Sequence, residues 1–201
     1  MSEPIRSFVA VKITPEAAER IGAAQARLRA AGRDVKWVDA QSFHITLKFL
    51  GGVEQERLAE VWRATTEALD GTAAFTMRFR GIGAFPNPGR ARVIWAGIVE
   101  GAEELTEMAA RVEAACETHG FEREGRPFRA HVTLGRVRRP AANPALEAAM
   151  GEQVELELGE ARVDRALLMK SELSRGGAVY HILEETLLGQ EGELNGHQEE
   201  G

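Results

Sequence analysis

Cysteine is nearly missing from this chain: Cys116 is the one example in 201 residues. A lone thiol closes no internal disulfide and has no cysteine neighbours with which to build a zinc site. A reducing, cytoplasmic setting is therefore expected. No apolar run approaches the ~18–20 residues needed to span a bilayer. Met1–Ile5 carries acidic and polar residues rather than the basic and apolar regions of a secretory leader, so no membrane partner is expected. Also missing are a His-Glu-x-x-His pair, a phosphate-cradling Gly-rich loop and a carboxylate cluster, and no metal or cofactor is called for. Histidine is scarce too, at five residues.

Positive charge is in deficit overall, with 25 Lys and Arg against 31 Asp and Glu. Position changes that balance. Residues 184–201 hold six Glu and no Lys or Arg, so the remainder is neutral. Between Arg123 and Arg139 there are six Arg against one Glu, and a local patch of this kind is what a phosphate meets. A 44% hydrophobic composition and this length fit one large domain or two lobes sharing a core. We expect a single folded unit over residues 1–188, followed by an acidic, disordered tail over 189–201.

Two of the five histidines occupy the same local frame: His44-Ile45-Thr46-Leu47 and His131-Val132-Thr133-Leu134. Successive strand residues point to opposite faces. His44 and Thr46 should therefore share one face, with Ile45, Leu47 and Phe49 on the other. His131 and Thr133 should likewise oppose Val132 and Leu134, and Arg129 should share the histidine's face. Around these runs the pattern predicts strands at Ile5–Ile13, Val35–Val38, His44–Leu50, Phe75–Phe79, Arg92–Ile98, Phe128–Val137, Val154–Leu158, Val163–Lys170 and Ala178–Leu183. Helices are predicted after Thr14-Pro15 to Ala31, over Glu54–Leu69 and over Glu103–His119. Ala84–Gly89 reads as a loop, and Pro140–Gly151 as a connection with a short helix. Each half, Ile5–Leu69 and Arg92–Met150, runs strand, helix, His-x-Thr strand. The mixture without regular alternation favours α+β: two antiparallel-rich sheets facing each other across a cleft, with helices outside.

His44 through Gly51 (HITLKFLG) and His131 through Arg136 (HVTLGR) resemble the paired motifs of the 2H phosphoesterases, more narrowly the bacterial RNA 2′,3′-cyclic phosphodiesterases, also called 2′-5′ RNA ligases. Phe85-Pro86, Arg92–Gly97, Ser171-Glu172-Leu173 and Gly177–Tyr180 fit the same pattern in order, so the resemblance covers about residues 5–184. It implies a bilobal, pseudo-twofold α+β fold. It also implies metal-independent hydrolysis of RNA 2′,3′-cyclic phosphate ends to 2′-phosphomonoesters, with reverse 2′-5′ ligation. His44 would be the proton donor to the leaving 3′-oxygen and His131 the acceptor that activates water. RNA with cyclic phosphate ends, tRNA halves among them, would be the partner of a monomeric protein. A cyclic phosphodiesterase acting on small nucleotides and a non-catalytic RNA-end-binding module are the alternatives.

The chemistry suits these residues. An imidazole with a pKa near ~6.5 serves as base or acid near neutrality. Thr46 and Thr133 are placed to hydrogen-bond the phosphoryl oxygens. Arg136, three residues past Thr133, could add a guanidinium fork, and Arg129 a second phosphate contact. Phe49, Phe128 and Tyr180 are candidates to stack on a base.

Overall fold

The computed structural model describes residues 3–173 and 178–189. Gly177, His197 and the expected tail beyond Gly189 lie outside the described residues.

Among the described residues, nine strands and four α-helices follow one another as β1 (Ile5–Lys12), α1 (Pro15–Leu28), β2 (Val35–Trp37), β3 (His44–Val53), α2 (Gln55–Leu69), β4 (Phe75–Phe85), β5 (Val93–Glu100), α3 (Ala102–Thr118), β6 (His131–Val137), α4 (Pro144–Gly151), β7 (Glu157–Val163), β8 (Arg165–Leu173) and β9 (Ala178–Leu187). They form two antiparallel sheets, ordered β3-β1-β8-β9 and β2-β6-β5-β4-β7.

Local chemistry explains most boundaries. The Thr14 hydroxyl accepts from the Ala17 amide at 3.3 Å and Pro15 occupies the first turn of α1, a cap worth about 1 kcal/mol. Ala17, Ile21, Ala24, Gln25 and Leu28 then form its buried stripe. Leu58, Val61, Trp62, Thr65 and Leu69 do the same for α2, and Leu105, Met108, Ala109, Val112 and Cys116 for α3. These stripes join the strand residues Val9, Val11, Ile45, Leu47, Ile94, Val132 and Leu134 in one continuous core. Each large aliphatic side chain buried there contributes roughly 1.5–3 kcal/mol.

The departures from the sequence expectations have tertiary causes. The strand β3 runs through Gly51-Gly52 to Val53 because β1 pairs with it to the end, Ile5 opposite Val53. Gly51 takes φ +75° where the register slips, a conformation that favours glycine. Ala84 and Phe85 belong to β4 rather than to a loop, since both pair with β5. β6 starts at His131, three residues later than Phe128. Val163 ends β7, which begins at Glu157 rather than Val154, and Glu184 and Glu185 extend β9 opposite Leu168 and Leu167. The halves read along the chain are not the two lobes. β2, from the first half, pairs with β6 of the second, and β8 and β9 complete the first sheet.

Candidate active site

The two His-x-Thr strands are built on one register. Opposite β3, β1 places Lys12 against His44, Ala10 against Thr46, Val9 against Lys48 and Phe8 against Phe49, skipping Leu47. Opposite β6, β5 places Gly97 against His131, Trp95 against Thr133, Ile94 against Gly135 and Val93 against Arg136, skipping Leu134. Each copy thus carries a β-bulge three residues after its histidine, and a bulge re-aims the side chains beyond it. The burial sequence is the same in both: histidine and threonine half-buried, the third and fourth residues after the histidine buried, the fifth exposed.

This corrects the straight-strand expectation for Phe49. Rather than packing with Ile45 and Leu47, it emerges 52% exposed, with its ring centroid 6.0 Å from that of Phe8. Arg136 is the equivalent residue of the second copy. Strict alternation would send it away from His131; the bulge returns it to the site, where its charge is felt by both histidines.

Buried polar groups hold each bulge. In the first copy Lys48 turns inward, its ammonium donating to the Glu113 carboxylate at 2.7 Å and to the Glu122 carbonyl at 2.6 Å. In the second, the carbonyl of the bulged Leu134 accepts from Gln25 Nε2 at 2.9 Å and from the Val38 amide at 2.8 Å. Gly135 leaves room for β2, because a Cβ there would stand 2.6 Å from Val35 Cγ1. Sequence reasoning missed Gln25 and Lys48. A glutamine within the Ile21–Leu28 stripe was the available signal for the first; nothing local marked the second.

The histidines are held alike. His44 Nδ1 lies 2.8 Å from the Ser42 carbonyl and His131 Nδ1 2.6 Å from the Arg129 carbonyl. A carbonyl can only accept, so Nδ1 carries the proton in each and Nε2 is left for chemistry. Aromatic rings flank both. Phe8 and Tyr180 each stand 4.9 Å from the His44 ring, and Phe85 meets His131 edge-on at 5.0 Å, backed by Trp95 at 5.3 Å. β3 and β6 themselves are in contact. Both imidazoles are held below their ordinary pKa, first by burial, against the opposing effect of their carbonyl partners. Arg136 lowers both further, and His44 also feels His131 and Lys12.

The other expected residues divide. Tyr180 lies on the His44 wall, and Arg129 sits over the Phe85 ring at 5.8 Å. Thr46 and Thr133 are half-buried, and neither hydroxyl bonds to another described residue. Phe128 packs on the main core and has no ring contact with either histidine among the described residues. Cys116 is fully buried, and burial pushes its thiol up to about 11, so it is no nucleophile. No cluster of three potential metal ligands occurs among the described residues, and no helix there is long and apolar enough to cross a membrane.

Residues 13–175 match the model of the 2′-5′ RNA ligase superfamily. The chain is 33% identical over 180 residues to an RNA 2′,3′-cyclic phosphodiesterase of Methanothermobacter thermautotrophicus, covering 90% of this chain and 97% of that one. With the protein of the same name from Archaeoglobus fulgidus it shares 36% over 179 residues, covering 89% and 98%. Among solved structures, a Thermus thermophilus protein superposes with a TM-score of 0.77 at 31% identity, over 92% of this chain and 99% of that one. E. coli LigT, solved with 3′-AMP, superposes with a TM-score of 0.76 at 25% identity, over 94% and 100%. Two registered His-x-Thr strands facing one cleft, and a match across most of the chain, place this protein in the 2′-5′ RNA ligase superfamily of 2H phosphoesterases.

Proposed function

We propose that the protein opens 2′,3′-cyclic phosphates at RNA ends to 2′-phosphomonoesters, with His131 taking the proton of the attacking water and His44 protonating the leaving 3′-oxygen. The observation that carries this reading is the shared tethering of the two imidazoles. Each has Nδ1 fixed on a carbonyl and Nε2 free, so the pair can supply both proton transfers of an in-line displacement. In this reading Arg136 and the threonine hydroxyls are the donors to the charge that grows on the non-bridging oxygens, a form of stabilisation worth about 10²–10³ per donor in comparable sites.

Burial, His131, Arg136 and Lys12 all oppose a proton on His44. An anionic phosphate against His44 favours that proton. The two titrate as a pair, with apparent values belonging to both. Run backwards, the same machinery joins a 5′-hydroxyl to the cyclic phosphate in a 2′-5′ linkage.

Names of the relatives support RNA as substrate, and we extend this to tRNA halves, handled by a monomer in the cytoplasm. Residues 1–188 form the catalytic unit, followed by the acidic stretch 189–201. The test is an oligoribonucleotide ending in a 2′,3′-cyclic phosphate, incubated in EDTA, with the product phosphate located by NMR. A 2′-phosphate is expected; a 3′-phosphate reverses the roles of the histidines, and no turnover over hours refutes the catalytic reading.

A further inference from the structure

Beside the site, on the His131 wall, lies a cavity of about 740 Å³ lined by Phe85, Val93, Arg90, Arg92, Arg126 and the segment Pro140–Ala142. That volume is within the range of pockets that enclose a small organic ligand. It is continuous with the chemistry at two points: Phe85 touches the His131 ring, and Val93 is the register partner of Arg136. Its three arginines are exposed, and none has an ion-pair or hydrogen-bond partner for its side chain among the described residues. The Glu147 carboxylate approaches Gly89 at the same cavity yet pairs with none of them. Three unneutralised guanidinium groups around one opening are a track for phosphates.

The stereochemistry of the reaction says which phosphates. In an in-line displacement the nucleophile and the leaving oxygen stand on opposite sides of phosphorus. The leaving 3′-oxygen, and with it the ribose and base of the cyclic end, belongs on the His44 side, where Phe8, Phe49 and Tyr180 form an aromatic wall. The nucleophile arrives from the His131 side, where the cavity opens. Water needs no such track; a second RNA strand does.

We propose that this cavity is the seat of an acceptor strand, holding the backbone phosphates of a single-stranded RNA whose 5′-hydroxyl is brought to His131. The inference rests on the two-histidine reading, with His131 as the base. The 5′-hydroxyl gives its proton to His131 Nε2 as its oxygen bonds to phosphorus. The bond from phosphorus to O3′ breaks, and O3′ takes the proton of His44. One 2′-5′ phosphodiester and one 3′-hydroxyl result, with no other reactant consumed.

The test compares the full-length protein with the triple variant Arg90→Gln, Arg92→Gln, Arg126→Gln. The donor is one RNA with a 2′,3′-cyclic phosphate end, and the acceptor a second RNA with a free 5′-hydroxyl and a blocked 3′ end. The variant should join the strands at least tenfold more slowly while hydrolysing the same donor within twofold of wild type. The salt dependence of the acceptor KM should also flatten, by ~0.7 log units per log unit of salt for each phosphate contact removed. Unchanged joining overturns the proposal. So does a parallel loss of hydrolysis, which would put the cyclic-phosphate strand in the cavity, and so does a wild-type protein that hydrolyses but never joins. A wild type that does not hydrolyse brings down the underlying reading as well, and is recognised by that fact alone.

Discussion

The two His-x-Thr strands have one backbone plan and two chemical fillings. β3 is the edge of its sheet, whereas β6 lies between β5 and β2. Both bulge at the third residue after the histidine. After the bulge comes a buried lysine in one and a glycine in the other, then an exposed phenylalanine in one and an arginine in the other. Facing the histidines, β1 offers Lys12 and β5 offers Gly97. The same device therefore aims an apolar platform from one wall and a charge from the other. A repeated backbone with divergent side chains suits a substrate whose two ends differ, nucleoside on one side and entering nucleophile on the other.

The sharpest way to break the comparison is to remove each histidine. His44→Ala and His131→Ala should each lower kcat/KM for the cyclic phosphate by about 10²–10⁴-fold. The losses should differ in form: His44→Ala flattens the alkaline limb of the pH profile and His131→Ala the acidic limb. Identical residual profiles would make the two copies interchangeable and refute assigned roles.

Next in size are the fifth residues. Arg136→Gln should lower kcat about 10²–10³-fold and move the kcat/KM profile to higher pH, because its charge helps depress both histidines. Phe49→Ala should instead raise KM by the ~1–3 kcal/mol of a lost stacking contact and leave the profile in place. A shifted profile in the Phe49 variant would mean that the two walls are not chemically distinct.

The bulge clamps come third. Lys48→Met strands Glu113 without its cation and should cost about 3–5 kcal/mol in urea unfolding. Gln25→Leu takes the side-chain amide from both the Leu134 and the Val38 carbonyls and should cost about 1–3 kcal/mol. If Gln25 aims Arg136 through the bulge, this variant also loses kcat at constant folded fraction. An unchanged kcat confines Gln25 to stability.

The smallest effect is in the pH dependence of stability. Both histidines are held below 6.5 in the folded protein, so below that pH the unfolded chain binds the more protons. Stability should then fall as pH drops from 6.5 through the folded values, and be unaffected by these groups above it. His44→Gln with His131→Gln should flatten that slope, as read from urea midpoints at pH 5 and pH 7.

Much of the molecule is legible in local patterns. The Thr14-Pro15 start of α1, the helical stripes of α2 and α3 and the two His-x-Thr runs are features of short-range spacing, and the structure reproduces them. Arg136 is picked out by its place after Thr133, although strand alternation gives no reason for it to face the histidine. Alternation puts Phe49 on the wrong face for the same reason. Phe8 and Arg90 carry no local mark. Phe85 and Arg92 stand out only as parts of a longer pattern, because each owes its role to a neighbour across a strand pair or around a cavity.

The sequence by itself determined the fold class, the order of the main elements and the candidate acid–base pair, because helix caps, hydrophobic period and a repeated tetrapeptide are written within a few positions of one another. Tertiary structure alone decided which strand joins which sheet, that β2 crosses to cover β6, and that both strands bulge. A bulge exists only relative to a partner strand: Leu47 and Leu134 are extra residues because β1 and β5 skip them. Buried hydrogen bonds from Lys48 and Gln25, the latter spanning 109 positions to Leu134, fix the course of each strand past its bulge. Those long-range contacts turn Phe49 and Arg136 toward the histidines.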